Sequence, residues 1–266
     1  MSFAAARQDI AAKGYAHFAS DVQVAAWAAH AARLVPAALA DPAYAHWHRH
    51  QGTWFAGVDA LPNDGRGALP GGRALAGGVI SFLQQQLGFE GPWHRAQLSV
   101  CFPGYPKQDE DESASAHAFR RNRDAAHVDG LHGEGPAKRR HLREFHHFIV
   151  GLPLTEVGEG AAPFTVWEGS HHIITAMFRT ALAGLPPERW GEVELTEAYQ
   201  AARKRAFEAC PRIVLQARPG EAYLVHRHAL HGVAPWRDGA MAPPEGRAIA
   251  YFRPEMQKRS DWLSGD

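Results

Sequence analysis

Apolar residues recur at helical spacing in the first third of the chain and at alternate positions in the remainder. Across 21–40, Val24, Trp27, Ala31, Leu34 and Val35 fall on one side of a helix, and Ser20 with Gln23 forms a capping-box pattern at its start. Pro36 is placed to kink or end that helix, and Asp41-Pro42 marks the exit. Residues 58–72, rich in Gly, Pro, Asn and Asp, predict a loop. A second helix is expected over 73–87, with Leu75, Val79, Phe82, Leu83 and Leu87 on one side and Gly88 as its stop. From Trp93 the period changes to two. Residues 97–102 predict a strand ended by Pro103-Gly104, and further strands are expected over 146–154, 162–167, 212–217, 221–226 and 247–252. A helix around 196–207 interrupts them.

Short strands bounded by Gly and Pro turns, without regular alternation with helices, favour a sandwich or jelly roll over a parallel sheet. The expected fold class is therefore mainly β with flanking helices (α+β), a cupin-like double-stranded β-helix with an N-terminal helical region. The division that follows is a single domain over 1–266, with a helical support region over 1–92. A jelly-roll core is expected over 93–256, carrying a helical insertion at about 177–210.

Composition narrows the function classes. The 266 residues carry 28 Lys plus Arg against 28 Asp plus Glu, and 45% are hydrophobic, so the chain can bury a real core and is not disordered. A zero charge balance removes the electrostatic case for a dedicated nucleic-acid or membrane-surface binder. No apolar run approaches the ~18–20 residues that span a bilayer, and the opening MSFAAARQDIAAKG has no signal-peptide core. The two cysteines, Cys101 and Cys210, form no disulfide framework. These features predict a soluble cytoplasmic protein whose oligomeric state stays open.

Seventeen histidines change the picture, because histidine is the commonest metal ligand. One sits in His127-Val128-Asp129, where residues i and i+2 of an extended segment share a face and can converge on one ion. A strand ending in His226-Arg-His-Ala-Leu-His231-Gly232, then Pro235, supplies a second histidine, and the strand after it begins with Arg247. Two histidines and one carboxylate make the facial triad of non-haem Fe(II) oxygenases, which leaves open metal positions for a cosubstrate and O2. The Arg247 fork suits a carboxylate at the far end of that cosubstrate. An intact Asp129 argues against a halogenase, which needs that position for halide. His226 and His228 compete with His231 for the ligand role. His132 is either a pocket or a surface residue, and His171 reads as a turn residue.

At these residues the chain resembles the phytanoyl-CoA dioxygenase-like Fe(II)/2-oxoglutarate oxygenases. Asp9-Ile-Ala-Ala-Lys-Gly-Tyr15 is similar to that family's opening helix and strand, and Phe148-Ile-Val-Gly-Leu-Pro-Leu154 to the strand after its H-x-D motif. Glu159-Gly160 with Pro163-Phe-Thr-Val-Trp-Glu-Gly-Ser-His171 resembles its Gly-Ser-His turn, with Glu168 where the family has proline. The resemblance implies Fe(II) held by His127, Asp129 and His231, and 2-oxoglutarate paired through Arg247. Gln97, Ser99 and Thr165 are further lining candidates for that cosubstrate. A nine-residue segment, 238–246, stands between His231 and Arg247, so Arg253 and Arg237 are the alternatives for the carboxylate. The implied activity is a dioxygenase that hydroxylates a small molecule with O2, releasing succinate and CO2. The rivals are a jelly roll holding Zn as an isomerase or hydrolase, and a non-catalytic small-molecule binding module.

Two further segments bear on the substrate. Residues 107–124 run from acidic (Asp109 to Glu112) to basic (Arg120, Arg121, Arg123) and predict either a mobile surface loop or a lid whose arginines would meet an anionic substrate while Asp109 to Glu112 stay in solvent. Lys138, Arg139, Arg140, His141 and Arg143 would extend that basic rim, and Trp93, Tyr105, Trp167 and Trp236 are candidate pocket walls.

Overall fold

The structure, a computed structural model, describes residues 2–263. The N-terminal part runs α1 (Phe3–Lys13), β1 (Tyr15–Phe18), α2 (Val22–Ala32), α3 (Val35–Ala40), β2 (His48–Arg49), β3 (Trp54–Gly57) and α4 (Gly78–Leu87). Then follow β4 (Gln97–Cys101), α5 (Ala114–Asn122), β5 (Leu131–Glu134), β6 (Arg139–Leu142), β7 (Phe148–Pro153) and β8 (Phe164–Trp167). The last part holds α6 (Ser170–Ala181), α7 (Thr196–Ala209), β9 (Arg212–Leu215), β10 (Ala222–His226), β11 (His231–Val233) and β12 (Arg247–Phe252).

The strands form a jelly roll. A seven-stranded antiparallel sheet in the order β1-β10-β7-β12-β4-β3-β2 faces a three-stranded sheet, β11-β8-β9, and β5-β6 is a separate hairpin. Strand alternation sorts each side chain to one of two faces. On β12, Ala248, Ala250 and Phe252 join Leu98, Val100, Val150 and Leu224 in the core that the N-terminal helices cover. Ile249 and Tyr251 point the other way and meet Phe164, Val166, Tyr223 and Val225 between the two sheets. Gly151, opposite both Tyr223 and Tyr251, leaves the room for the Tyr223 ring that any Cβ would occupy. A third cluster packs α6 and α7 against Val128, Leu131 and Trp262, underneath the H-x-D segment.

Several local expectations are corrected. The N-cap of α2 is Asp21 rather than Ser20, because the Asp21 carboxylate accepts from the Gln23 and Val24 amides and also from Gly78 N at the start of α4. The second helix begins at Gly78 rather than residue 73. Residues 1–92 also supply β1, β2 and β3 to the main sheet, strands of two to four residues that are too short to show a period. Gly169, at φ 80, makes the turn expected near Gly-Ser-His, but α6 starts immediately after it, so His171 lies in a helix. Residues 107–124 are not a loosely held loop. Ser113 caps α5 by accepting from Ala116 N, Arg120 pairs with Glu112, and Phe119 packs on Phe207. Asp109 and Glu112 do not stay in solvent: Asp109 accepts from the His50 and Gln51 amides, and the Glu112 side chain is only 8% exposed.

Candidate metal centre

The two candidate histidines are joined through their backbones. His127 N donates to His231 O at 2.9 Å and His231 N donates to His127 O at 3.0 Å, an isolated bridge that sets the imidazoles side by side, 4.7 Å between ring centres. Each ring is oriented by a carbonyl. His127 Nδ1 lies 3.1 Å from Ala125 O, and His231 Nδ1 lies 2.9 Å from Ala229 O. A carbonyl only accepts, so Nδ1 carries the proton on both rings and both Nε2 lone pairs are left for a metal. Those Nε2 atoms lie 3.2 and 3.7 Å from Asp129 Oδ1. Bonds of about 2.1 Å at right angles put neighbouring ligand atoms about 3 Å apart, so one ion fits the set. The choice among nearby histidines follows from the same geometry. His228 turns away to the Thr175 hydroxyl, 2.7 Å, and His226 Nδ1 accepts from His228 N. His132 is half-exposed beside Glu144.

Asp129 and His231 are the buried members of the triad, whereas the His127 side chain is half-exposed. Burial alone would raise the Asp129 carboxyl, but Arg253, followed by His231 and His127, more than offsets this and holds it well below the usual range. Arg253 Nη1 takes Oδ2 at 3.3 Å, which leaves Oδ1 for the metal side. Arg253 is therefore committed to the ligand carboxylate. Arg237 lies against Gly160, outside the space between the sheets.

Arg247 stands differently. It shares the inner face of β12 with Ile249 and Tyr251, is 2% exposed, and has no hydrogen-bond partner at Nε, Nη1 or Nη2 among the described residues. Cys101, Tyr105, Tyr223 and Tyr251 surround it and none brings a negative charge. A buried cation without a partner is costly, so this one is arranged for an anion from outside the chain. Ser99 and Gln97 lie on the same inner face, opposite Ile249 and Tyr251. The Ser99 hydroxyl accepts from Trp54 Nε1 at 3.0 Å, and Gln97 opens instead on a large cavity beside Arg253. Thr165 is buried but alternates with Phe164 and Val166, so it points away from the space they line.

Part of the basic rim is neutralised. Arg120 pairs with Glu112, Arg139 with Glu194 and Arg143 with Glu134, while Arg123 lies over the Phe207 ring and Arg140 donates to Leu131 O. His50, Asp109 and Glu112 also bring ligand atoms within 4.8 Å of one another. The Arg120 cation and two backbone amides already occupy those carboxylates, which makes this cluster a latch for α5. Of the aromatic candidates, Trp93 and Tyr105 reach cavity or Arg247 surroundings, whereas Trp167 packs on Phe207.

Two positioning residues had no signal in the local sequence. Tyr199 on α7 accepts from Val128 N at 3.1 Å, fixing the amide between the two H-x-D ligands. Ser170 at the start of α6 accepts from Leu230 N at 2.8 Å, one residue before His231. Among the described residues no helix is long and apolar enough to cross a membrane.

No protein-family model matches the chain, and no curated protein sequence matches it. Solved structures do share its fold. The non-heme alpha ketoglutarate dependent carbocyclase SnoK from nogalamycin biosynthesis superposes with a TM-score of 0.51 at 15% identity, covering 95% of this chain and 87% of that one. EctD from S. alaskensis with bound Fe superposes with a TM-score of 0.50 at 16% identity, covering 95% and 76%. The likeness is one of fold, and it spans nearly the whole chain.

Proposed function

We propose that this protein is a phytanoyl-CoA dioxygenase-like oxygenase that uses Fe(II), 2-oxoglutarate and O2 to hydroxylate a small molecule. The observation that carries the reading is the pairing of two features on one strand. β12 begins at Arg247, a buried guanidinium with no hydrogen-bond partner among the described residues, and the residue directly after the strand, Arg253, holds Asp129 of the two-histidine, one-carboxylate set. Nitrogen and carboxylate donors without thiolate suit Fe(II), and a guanidinium fork suits the distal carboxylate of a dicarboxylic cosubstrate.

The protein's own contributions can be stated residue by residue. His127 Nε2, His231 Nε2 and Asp129 Oδ1 would hold the ion from one side. Arg253 keeps Asp129 to a single metal-facing oxygen, and Arg247 would fix the cosubstrate's far end. Phe164, stacked 5.5 Å from His231 and 4.8 Å from Tyr223, keeps the space between the two sheets apolar and excludes water from it. Fe(II), once bound, would activate O2 as the oxidant, with 2-oxoglutarate supplying two electrons and leaving as succinate and CO2.

Anaerobic titration tests the reading. One Fe(II) per chain is expected, with 2-oxoglutarate binding only after the metal, and succinate formed on admitting O2. His231→Ala should abolish iron binding with the fold retained. Iron at full stoichiometry in that variant, or metal binding with no response to 2-oxoglutarate, would sink the proposal and favour a Zn-dependent isomerase or hydrolase. SnoK is a carbocyclase on this fold, so product analysis must separate hydroxylation from ring closure.

A further inference from the structure

A cavity of ≈ 870 Å³ is lined at one point by Arg253, the residue that also pairs with Asp129 of the candidate metal centre. Its charge is one-sided. Asp59, Glu90, Glu144, Glu255 and Asp261 line it, against only Arg253 and Lys258. Arg253 is already matched by Asp129, so the local balance is more negative than that count suggests. Two of the lining imidazoles do little to reverse it: burial holds His147 down to about 4 and also lowers His94. Glu144 is pulled down to about 2, mainly by its hydrogen bond from His146, and stays ionised.

His146 marks the polar end of the cavity. It is 7% exposed, with Nε2 2.9 Å from Glu144, while Nδ1 has no hydrogen-bond partner and faces Glu255 at 3.7 Å. Leu87, Phe89 and Trp93 give the cavity an apolar stretch of wall, the two aromatic rings edge-on at 4.7 Å. A concave site with an aromatic wall and carboxylates of one sign concentrates cations and rejects anions. Three of the basic groups that would have served an anion, Arg120, Arg139 and Arg143, are paired elsewhere, and none of the basic rim lines this cavity.

We propose that this cavity admits the substrate, and that the substrate is a cation: a small molecule bearing a protonated amine on an apolar or aromatic body. The assignment of this cation as substrate rests on the reading of His127, Asp129 and His231 as the metal centre. The cation preference of the cavity can be measured without metal.

The test titrates 2-phenylethylammonium and 3-phenylpropionate, alike in ring and similar in length but opposite in charge, into the metal-free protein at neutral pH. The ammonium should bind at least about tenfold more tightly, and the preference should shrink as salt is raised. It should also shrink in a Glu144→Gln, Glu255→Gln double variant. Equal affinities, tighter binding of the carboxylate, no binding of either at millimolar concentration, or a preference indifferent to salt would each overturn the proposal. The salt series decides even where the double variant fails to fold. An ammonium preference in a protein whose triad takes up no Fe(II) would uphold the cavity's cation selectivity and remove the metal reading alone.

Discussion

Arg253 Nη1 lies 3.3 Å from Asp129 Oδ2, while Asp129 Oδ1 faces the Nε2 atoms of His127 and His231. The carboxylate is thus divided, one oxygen to a side-chain cation and one to the candidate metal position. The contact also joins the end of β12 to the H-x-D segment, two parts of the chain that no strand pairing connects directly.

Replacing Arg253 with Leu should free Asp129 to rotate and leave it without its cation. Iron affinity should then fall by about 10- to 100-fold, the usual cost of losing a group that orients a metal ligand. Arg253→Lys, a point charge without the planar fork, should recover part of the loss. Anaerobic Fe(II) titration of both variants measures this, and equal affinity in Arg253→Leu and the wild type would remove the positioning role.

Arg247→Leu makes a different cut. It takes away a buried guanidinium that meets no carboxylate among the described residues, so the fold should survive or gain stability, and iron binding should be kept. Affinity for 2-oxoglutarate should drop at least about tenfold through loss of a charge-assisted pair. A 2-oxoglutarate titration of the iron-loaded variant gives the answer, and an unchanged curve would return the role to another arginine.

Residues 107–124 should resist proteolysis in the ligand-free protein. The Glu112–Arg120 pair, the Asp109 contacts and the Phe119–Phe207 packing already hold α5 in place. Limited digestion should become markedly faster in Glu112→Ala, with cleavage inside the segment. Rapid cleavage of the wild type that slows only on adding ligands would restore the picture of a mobile lid.

Acid should destabilise the protein through its buried histidine cluster. Burial, ahead of the charges of Arg227 and the neighbouring histidines, holds His226 and His228 well below the ordinary imidazole value. Both are therefore neutral in the fold, whereas the unfolded chain takes up protons near pH ~6.5. With the folded value depressed, stability is intact above that pH. It falls as pH drops below it, by up to about 1.4 kcal/mol per pH unit for each histidine. Urea midpoints measured downward from pH ~6.5 should show this slope. A Thr175→Val, His228→Leu double variant, which removes one titrating group and its partner hydroxyl together, should flatten it.

Much of this site was legible before the structure. His127, Asp129 and His231 converge as their spacing predicts, and β12 spans 247–252 with Arg247, Ile249 and Tyr251 on one face, because strand alternation depends on the backbone alone. The pairing of basic side chains was not legible. Arg120, Arg139 and Arg143 stand in basic stretches of the sequence, and only the fold shows each one facing a carboxylate, two of them eight or nine residues distant and Arg139 fifty-five.

By itself the sequence determined whatever depends on local geometry: the alternating strands, the glycine and proline turns, the H-x-D pair on one face and the histidine at a strand end. Tertiary structure decided what depends on distant groups meeting. It set Tyr199 against Val128 N and Ser170 against Leu230 N, committed Arg253 to Asp129 and left Arg247 alone. It also gathered Asp59, Glu90, Glu144, Glu255 and Asp261 around one cavity. A side chain's charge is written in the sequence. Whether that charge is matched depends on what packs within a few ångströms of it, and the closed jelly roll settles that by bringing strands about 70 to 210 residues apart into register.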